Sequence, residues 1–349
     1  MKPERICLIL FISLLIASCA GRDRFVVFSG YAQGGTWTVK ANLRGVKVHS
    51  REIAYGIDSI LTLVDTTVSG YNKGSILSRF NAGETVTPNS LFSDIFSYCS
   101  DIYDETGGRV DVASGPLFDI WGFGFKTDSL PSDSLVMETL ATCGMSRLRR
   151  DIPSGVPVRA AELVDDGGAP GPVLNFNAVA QGYTCDLVAD YLAGLGVTDM
   201  MVDIGEIYCR GHNPGGQGWT IGVDRPVDGN ERPGEDLDGI WQSDGSPAGI
   251  VTSGNYRKFY VRDGRKYAHT IDPRTGYPVQ HNLLSATVVA PSAAAADAYA
   301  TYCMVIGLDA ARDFIESRDD LEGYLIYDGE GGMEEWASSG FSLVEPSEL

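Results

Sequence analysis

Apolar residues return every three or four positions along several stretches of the chain, the spacing of a helix with one buried face. Arg51 to Thr66 sets Ile53, Ile57, Ile60, Leu61 and Val64 on one stripe. Ser90 to Thr106 repeats the pattern with Phe92, Ile95, Phe96, Cys99, Ile102 and Tyr103, and runs out at Gly107-Gly108. Pro131 to Cys143 predicts a third helix. Ala178 to Leu195 predicts a fourth, closed by Gly194 and Gly196, and Ser292 to Ile306 a fifth, with Ser292 placed to cap it. Between these lie strand-like runs at Arg24–Ser29, Thr36–Leu43, Met200–Ile204, Trp219–Val223, Ile250–Thr252 and Ser285–Val289. Lys258–Val261 and Tyr267–Ile271 flank Asp263-Gly264, a hairpin turn signal. Strands and helices intermixed, with hairpins, predict an α+β fold with a largely antiparallel sheet. Two stretches, Ile152 to Gly171 and Pro226 to Gly249, are rich in proline, glycine and acid and predict loops, linkers or insertions.

The first residues belong to a different pattern. Lys2 and Arg5 precede an apolar run from Ile6 to Ile16, followed by Ala17-Ser18-Cys19. A basic start, a short apolar core and small residues are the marks of an export signal, and the run is too short to span a bilayer comfortably. Residues 1–18 are therefore expected to be removed, leaving 19–349 as a single catalytic domain. Ile16-Ala17-Ser18-Cys19 resembles the lipobox of bacterial lipoproteins, which implies a lipid on Cys19 and a protein anchored to a membrane. Five cysteines remain, at positions 99, 143, 185, 209 and 303. Their spacing supports neither zinc nor a disulfide framework, so they read as small buried hydrophobes. The net charge of −19 argues against nucleic acid as a partner.

Four stretches hold chemistry. Asp297 and Thr301 are four apart on the fifth helix and share a face; a carboxylate and a hydroxyl together suit a hard cation, although an acid near a helix start is also an ordinary dipole partner. "LNFNAVAQGY", Leu174 to Tyr183, runs from a strand-like piece into a helix. Its free N–H groups form a ready anion site, and either Asn175 or Asn177 is equally suited to be a plain cap. Gly182 inside that helix costs about 1 kcal/mol against alanine, which close approach of a ligand or another backbone would explain. In "GRVDVASGPLFDIWGFG", Gly108 to Gly124, Asp111 stands between two valines, either hydrogen-bonded in the interior or aimed at a ligand. Trp121, Phe123 and Phe125 read as core rather than as a flavin platform. His269 leaves the second hairpin strand in "HTIDPRTGYP" near Asp272, as a general base or as a structural histidine in a tight turn.

The order of these blocks resembles the ApbE family, the FAD:protein FMN transferases. The likeness runs from about Phe25 to Asp309 and is carried by "GGTWTV", "SGYNKGSILSRFN", "VDVASGPLFDIWGFG", "NFNAVAQGYTCD", "VDIGEIYCRGHNP", "VTSGNYRKF", "HTIDPRTGYPV" and "ADAYATYCMVIGL". The resemblance implies a duplicated, T-fold-like α+β architecture of two similar halves, with FAD bound between them and a divalent metal, usually Mg2+, on its pyrophosphate. It places Asp297 and Thr301 on the metal-ligating helix. Ala300 falls where the backbone contributes, and Ala178 where a carbonyl completes the metal site. Gly34, Tyr71, Arg109, Val110, Asp111, Asn175, Gln181 and Ile271 fall on flavin-contacting positions, and His269 on a histidine linked to activity. The implied reaction moves FMN from FAD to a threonine hydroxyl of an acceptor protein and releases AMP. The implied acceptors are flavoprotein subunits of membrane redox complexes, such as sodium-pumping NADH:quinone reductase or the RNF complex, at the periplasmic face of the cytoplasmic membrane.

The chain departs from the family at four places. Asn175 stands where aspartate is common, Gln181 where lysine is common, and Gly34 where a methionine precedes Gly-Thr; the loop Val202-Asp203-Ile204-Gly205-Glu206 is one glycine short. Two rival activities share the same site. Water in place of threonine would make an FAD pyrophosphatase, and loss of chemistry would leave an exported flavin-binding lipoprotein.

Overall fold

The computed structural model describes residues 24–345 apart from 124–129, 165–171, 228, 231, 233, 257–258 and 263–264. Cys19, the leader and Phe125 lie outside the described residues. Along the chain come β1 (Phe25–Ala32), β2 (Gly35–Asn42), α1 (Ser50–Val68), α2 (Ile76–Asn81), α3 (Ser90–Glu105), α4 (Gly115–Ile120), α5 (Asp133–Leu140) and α6 (Ala180–Gly194). Then follow β3 (Met200–Asp203), β4 (Ile207–Arg210), β5 (Thr220–Asp224), β6 (Leu237–Gln242), β7 (Ala248–Gly254), β8 (Phe259–Arg262), β9 (Arg265–Ala268), β10 (Ile271–Asp272), β11 (Tyr277–Pro278) and β12 (Leu283–Ala290). The chain closes with α7 (Ala293–Ile306), α8 (Leu308–Glu316), β13 (Glu322–Gly329), β14 (Gly332–Ala337) and β15 (Leu343–Val344).

An eight-stranded sheet in the order β1-β2-β3-β4-β7-β12-β13-β14 forms the middle layer. Every neighbouring pair in it is antiparallel. Its central strands are covered on both faces, and the period-two geometry of a strand shows directly in where their side chains go. Met200 and Val202 pack against α1 and α6, with Ile53, Ile57, Val188 and Leu192, while Met201 between them faces the other way. Val251, Val288 and Leu325 enter the large helical core with Phe92, Phe96 and Ala300. Ile250, Val289 and Ile326 instead meet Trp219, Ile221 and Trp241 of a three-stranded sheet in the order β15-β6-β5. The molecule is thus a helical layer, a large sheet and a small sheet, with hairpins β8–β9 and β10–β11 set apart from both sheets.

The five predicted helices form, with shifted ends. The fourth begins at Ala180 rather than Ala178, because residues 177–179 make a turn first. Ser292 caps α7 as expected, its hydroxyl accepting the Ala295 N–H at 3.1 Å. The second hairpin strand ends at Ala268, and His269 therefore sits in the bend before β10 rather than on a continuous strand to Ile271. Pro226 to Gly249 is not all loop, since it contains β6 and the start of β7. The five cysteines are free and buried, as small apolar residues would be.

Candidate active site

The site is built around the junction of α6 and α7. Asp297 projects from α7 and is 5% exposed; its Oδ2 accepts the Gly182 backbone N–H of α6 at 3.1 Å. A Cβ on Gly182 would fall inside the contact distance of the Ala293 carbonyl oxygen, so the glycine exists for a backbone rather than for a ligand. One turn along α6, Asp186 accepts the N–H groups of Ala293 and Ala294, each at 2.8 Å. Burial pushes the Asp297 carboxyl above the usual range; the Gly182 amide draws it back and the Asp186 carboxylate raises it further. Asp186 is itself pushed up to about 6 by burial, against the pull of the Ala294 and Ala293 amides. Ala300 and Thr301 follow on α7, the first fully buried and the second half-buried. Ala178 lies in the turn that leads into α6.

Specific hydrogen bonds bring the other blocks to this junction. Gln33 Nε2 donates to Thr184 Oγ1 at 2.8 Å, which holds the Gly34 turn of the β1–β2 hairpin against α6. Asn81 exchanges two 2.8 Å bonds with the backbone of Leu174 and so ties the Tyr71 loop to the α6 entry. The Asn175 N–H donates to the Val112 carbonyl at 2.7 Å, which adds the Arg109–Val110–Asp111 segment. Gln181 Nε2 donates to the Ile204 carbonyl at 3.3 Å and fills the space beside Gly205, whose φ of 91° closes the shortened loop. The side chain that stands in for lysine therefore holds that loop.

Two alternatives left open by the sequence are resolved. Neither asparagine caps α6: Val179 occupies the cap position, and the Asn175 Oδ1 accepts the Asn177 N–H at 3.0 Å to close the preceding turn. Asp111 is hydrogen-bonded in the interior. Its Oδ1 takes the Ala113 N–H at 2.8 Å and the Met145 N–H reaches both oxygens, at 3.2 and 3.1 Å. Burial, partly offset by those amides and by Arg150, pushes its carboxyl up to about 6.

The His269 segment is held by aromatic rings in a cluster of its own. Tyr267 stacks on Tyr260 at 5.3 Å and on Trp121 at 5.8 Å, and Tyr260 stacks on Phe123 at 5.2 Å. His269, half-buried, meets the Phe123 ring edge-on at 6.3 Å. Trp121 Nε1 donates to the Gly276 carbonyl at 2.7 Å, and Thr270 Oγ1 to Asn255 Oδ1 at 2.6 Å. Ile271 is buried with Leu117, Trp121 and Val136. Asp272 spends its carboxylate on Arg274: Oδ1 accepts the Arg274 N–H at 2.9 Å and lies 3.8 Å from its guanidinium. Trp121 and Phe123 are core side chains, as their composition suggested, and their packing is what fixes the His269 turn. Gly34 and Tyr71 lie at the exposed rim, Tyr71 at 75% exposure.

Among the described residues no group of three or more His, Cys, Asp or Glu converges as a metal cluster. A hard-cation site fits all the same. Asp297 is a buried carboxylate whose charge is disfavoured by its surroundings and Thr301 a hydroxyl one turn on in the same helix, both hard oxygen donors of the kind magnesium takes. A separate cavity of about 280 Å³, lined by Asp238, Tyr324, Glu335 and Phe341, contains none of these residues. Asp186 and Gly249 were missed by sequence reading. Asp186 is visible only as the last letter of "NFNAVAQGYTCD", one helical turn beyond Gly182.

Residues 34–325 match the model of the ApbE family. The chain is 32% identical over 345 residues to the FAD:protein FMN transferase of Haemophilus influenzae, covering 96% of each protein. It is 30% identical to the Escherichia coli K12 protein of the same name, covering 92% of this chain and 90% of that one. Among solved structures, the flavin transferase ApbE from Vibrio cholerae superposes with a TM-score of 0.75 at 30% identity, over 91% of this chain and 98% of that one. Pseudomonas stutzeri flavinyl transferase ApbE in its apo form gives 0.77 at 29% identity, over 91% and 96%. With a family model matched over most of its length and relatives aligned over nearly all of it, the chain belongs to the ApbE family.

Proposed function

We propose that the chain is an FAD:protein FMN transferase, moving FMN from FAD to a threonine hydroxyl of an acceptor protein. The carrying observation is the α6–α7 junction, where buried Asp297 takes the Gly182 N–H in the first turn of the helix that Ala178 leads into. The relatives named for this activity align over nearly the whole chain. Asp297, Thr301 and the carbonyls of Ala178 and Ala300 are the groups that would hold Mg2+. When bound, the ion neutralises charge on the pyrophosphate and on the departing phosphate.

The threonine oxygen bonds to the phosphorus of the FMN half, the bond from that phosphorus to the bridging oxygen breaks, and AMP leaves with that oxygen. The threonine proton goes to His269, whose turn is held by the Phe123–Tyr260–Tyr267–Trp121 stack. Gly34, Tyr71, Arg109, Val110, Asn175, Gln181 and Ile271 line the flavin nucleotide. Asp111 acts one step removed, by fixing the backbone of Ala113 and Met145 beside them. The acceptors are flavoprotein subunits of membrane redox complexes of the sodium-pumping NADH:quinone reductase or RNF type. The enzyme meets them as a lipoprotein anchored through Cys19 at the periplasmic face of the cytoplasmic membrane.

The test is in-gel flavin fluorescence of a denatured acceptor after incubation with FAD and Mg2+, with and without EDTA. Covalent fluorescence that disappears with EDTA supports the proposal. A dark acceptor with steady release of FMN and AMP selects the pyrophosphatase. A dark acceptor with bound, intact FAD selects the carrier.

A further inference from the structure

α6 and α7 hold each other by a reciprocal clasp. Gly182 on α6 gives its N–H to Asp297 on α7, and Ala293 and Ala294 on α7 give theirs to Asp186 on α6. The donors and acceptors on each helix are one turn apart, so both halves of the clasp lie on the facing surfaces. Two glycines allow the approach. A Cβ on Gly182 would overlap the Ala293 carbonyl, and one on Gly249 of β7 would overlap the Ala293 backbone from the sheet side. Ala293, fully buried, is wedged between them.

A helix start leaves four N–H groups without intrahelical partners. At α7 the Ala293 and Ala294 groups go to Asp186 and the Ala295 group goes to the Ser292 hydroxyl, while Ala296 bonds to the Ser292 carbonyl. Ser292 alone would suffice as an ordinary cap. The second acceptor, half-buried and charged, is more than capping requires, and it sits on the helix that also touches Asp297.

We propose that Asp186 is a positioning residue for the metal site: its carboxylate fixes the start of α7, and with it Asp297 and Thr301, and adds the negative charge that raises the site's affinity for a divalent cation. A half-buried charge near a cation is screened less than one at the surface, so its removal is felt at the metal even without contact. The inference rests on the metal-dependent transferase reading.

The experiment compares full-length wild type with Asp186→Asn, Asp186→Glu and Ser292→Ala, all loaded with FAD. Mn2+ binding is followed by electron paramagnetic resonance, and the Mg2+ dependence of flavinylation is split into half-saturation and kcat. Asp186→Asn keeps the shape and one acceptor but loses the charge. It is expected to weaken Mn2+ binding and raise Mg2+ half-saturation by about tenfold, with kcat at saturating Mg2+ within about twofold of wild type. Ser292→Ala removes the cap hydroxyl and its hydrogen bond to Asp186 but leaves the carboxylate itself, and should lower thermal stability while shifting both metal readings far less than Asp186→Asn does. Asp186→Glu retains the charge and should bind Mn2+ within about threefold of wild type, which keeps the test open if the asparagine variant does not fold. Unchanged metal affinity in folded Asp186→Asn, an equal shift in Ser292→Ala, or a tenfold loss in Asp186→Glu would each overturn the proposal. Wild type that transfers FMN without any divalent metal would instead overturn the reading on which it rests.

Discussion

At the scale of single residues, two carboxylates whose pKa burial raises carry opposite assignments. Asp297 takes a single backbone N–H, from Gly182 across the helix junction, whereas Asp111 takes two, one of them reaching both its oxygens. Asp297→Asn keeps the Gly182 hydrogen bond within reach but removes the anion. FMN transfer at saturating FAD is expected to fall by at least about a hundredfold, measured as acceptor fluorescence per unit time. For Asp111 the readout is stability. Burial pushes its carboxyl up to about 6 from the ordinary 3.8, so the folded state holds the proton more tightly than the unfolded state. The contribution to stability is full below pH 3.8 and is lost as pH rises to about 6. Asp111→Asn does not titrate, so its stability relative to wild type should improve between pH 4 and pH 7 in urea melts. A difference that stays flat across that range would contradict this account. Asp297 and His269 were each ambiguous from type and spacing alone, and it was the order of the surrounding blocks that pointed to them. The state of Asp111 could not be read from sequence, since whether a buried acid meets amides or a ligand depends on Met145, 34 positions away.

Among the elements, α6 and α7 decide the site. Their packing depends on Gly182, where even a methyl group would meet backbone rather than a yielding side chain. Gly182→Ala is therefore expected to destabilise the fold by about 2 kcal/mol or more despite its better helix propensity. It should also depress transfer, because the shift that relieves the clash separates Gly182 from Asp297. Thermal melts and flavinylation rates measured together test this; a variant as stable as wild type would refute the close approach. The glycine's cost was legible in the sequence, but its partner was not, because Ala293 is an unremarkable residue in an alanine run. The five predicted helices formed, while α8, whose Leu308, Ala311 and Ile315 share a buried face, was not foreseen. Nor was β13, because it is buried on both faces: Leu325 enters the helical core while Tyr324 and Ile326 enter the other, leaving no alternation to find. α4 was hidden for another reason, as its six residues are too few to show a period.

For the whole molecule, the proposed membrane acceptor raises the question of what would bring a chain with net charge −19 to it. General electrostatic attraction would not bring it there, so attachment must be supplied by something outside the folded body. The acidic and basic positions are unevenly spread: from Arg24 to Arg51 the sequence has five Lys and Arg and no Asp or Glu. That segment follows directly on the proposed anchor and starts at the open edge strand β1. β1 then runs eight residues to the Gly34 turn, so about 26 Å of extended chain separates its start, nearest the proposed anchor, from that turn at the rim of the proposed flavin site. A lipid on Cys19 would thus hold the enzyme by one end of the β1–β2 hairpin and leave the other end facing the acceptor. Cys19→Ala removes the thiol that would carry the lipid while leaving every described residue in place. The variant should lose the mass of a diacylglyceryl group and no longer partition with lipoproteins into detergent. Its transfer rate toward a soluble acceptor domain should stay within about twofold of wild type, while flavinylation of the membrane-bound acceptor in cells should fall. Equal flavinylation in cells by the unlipidated variant would show that the anchor does not deliver the enzyme to its acceptor.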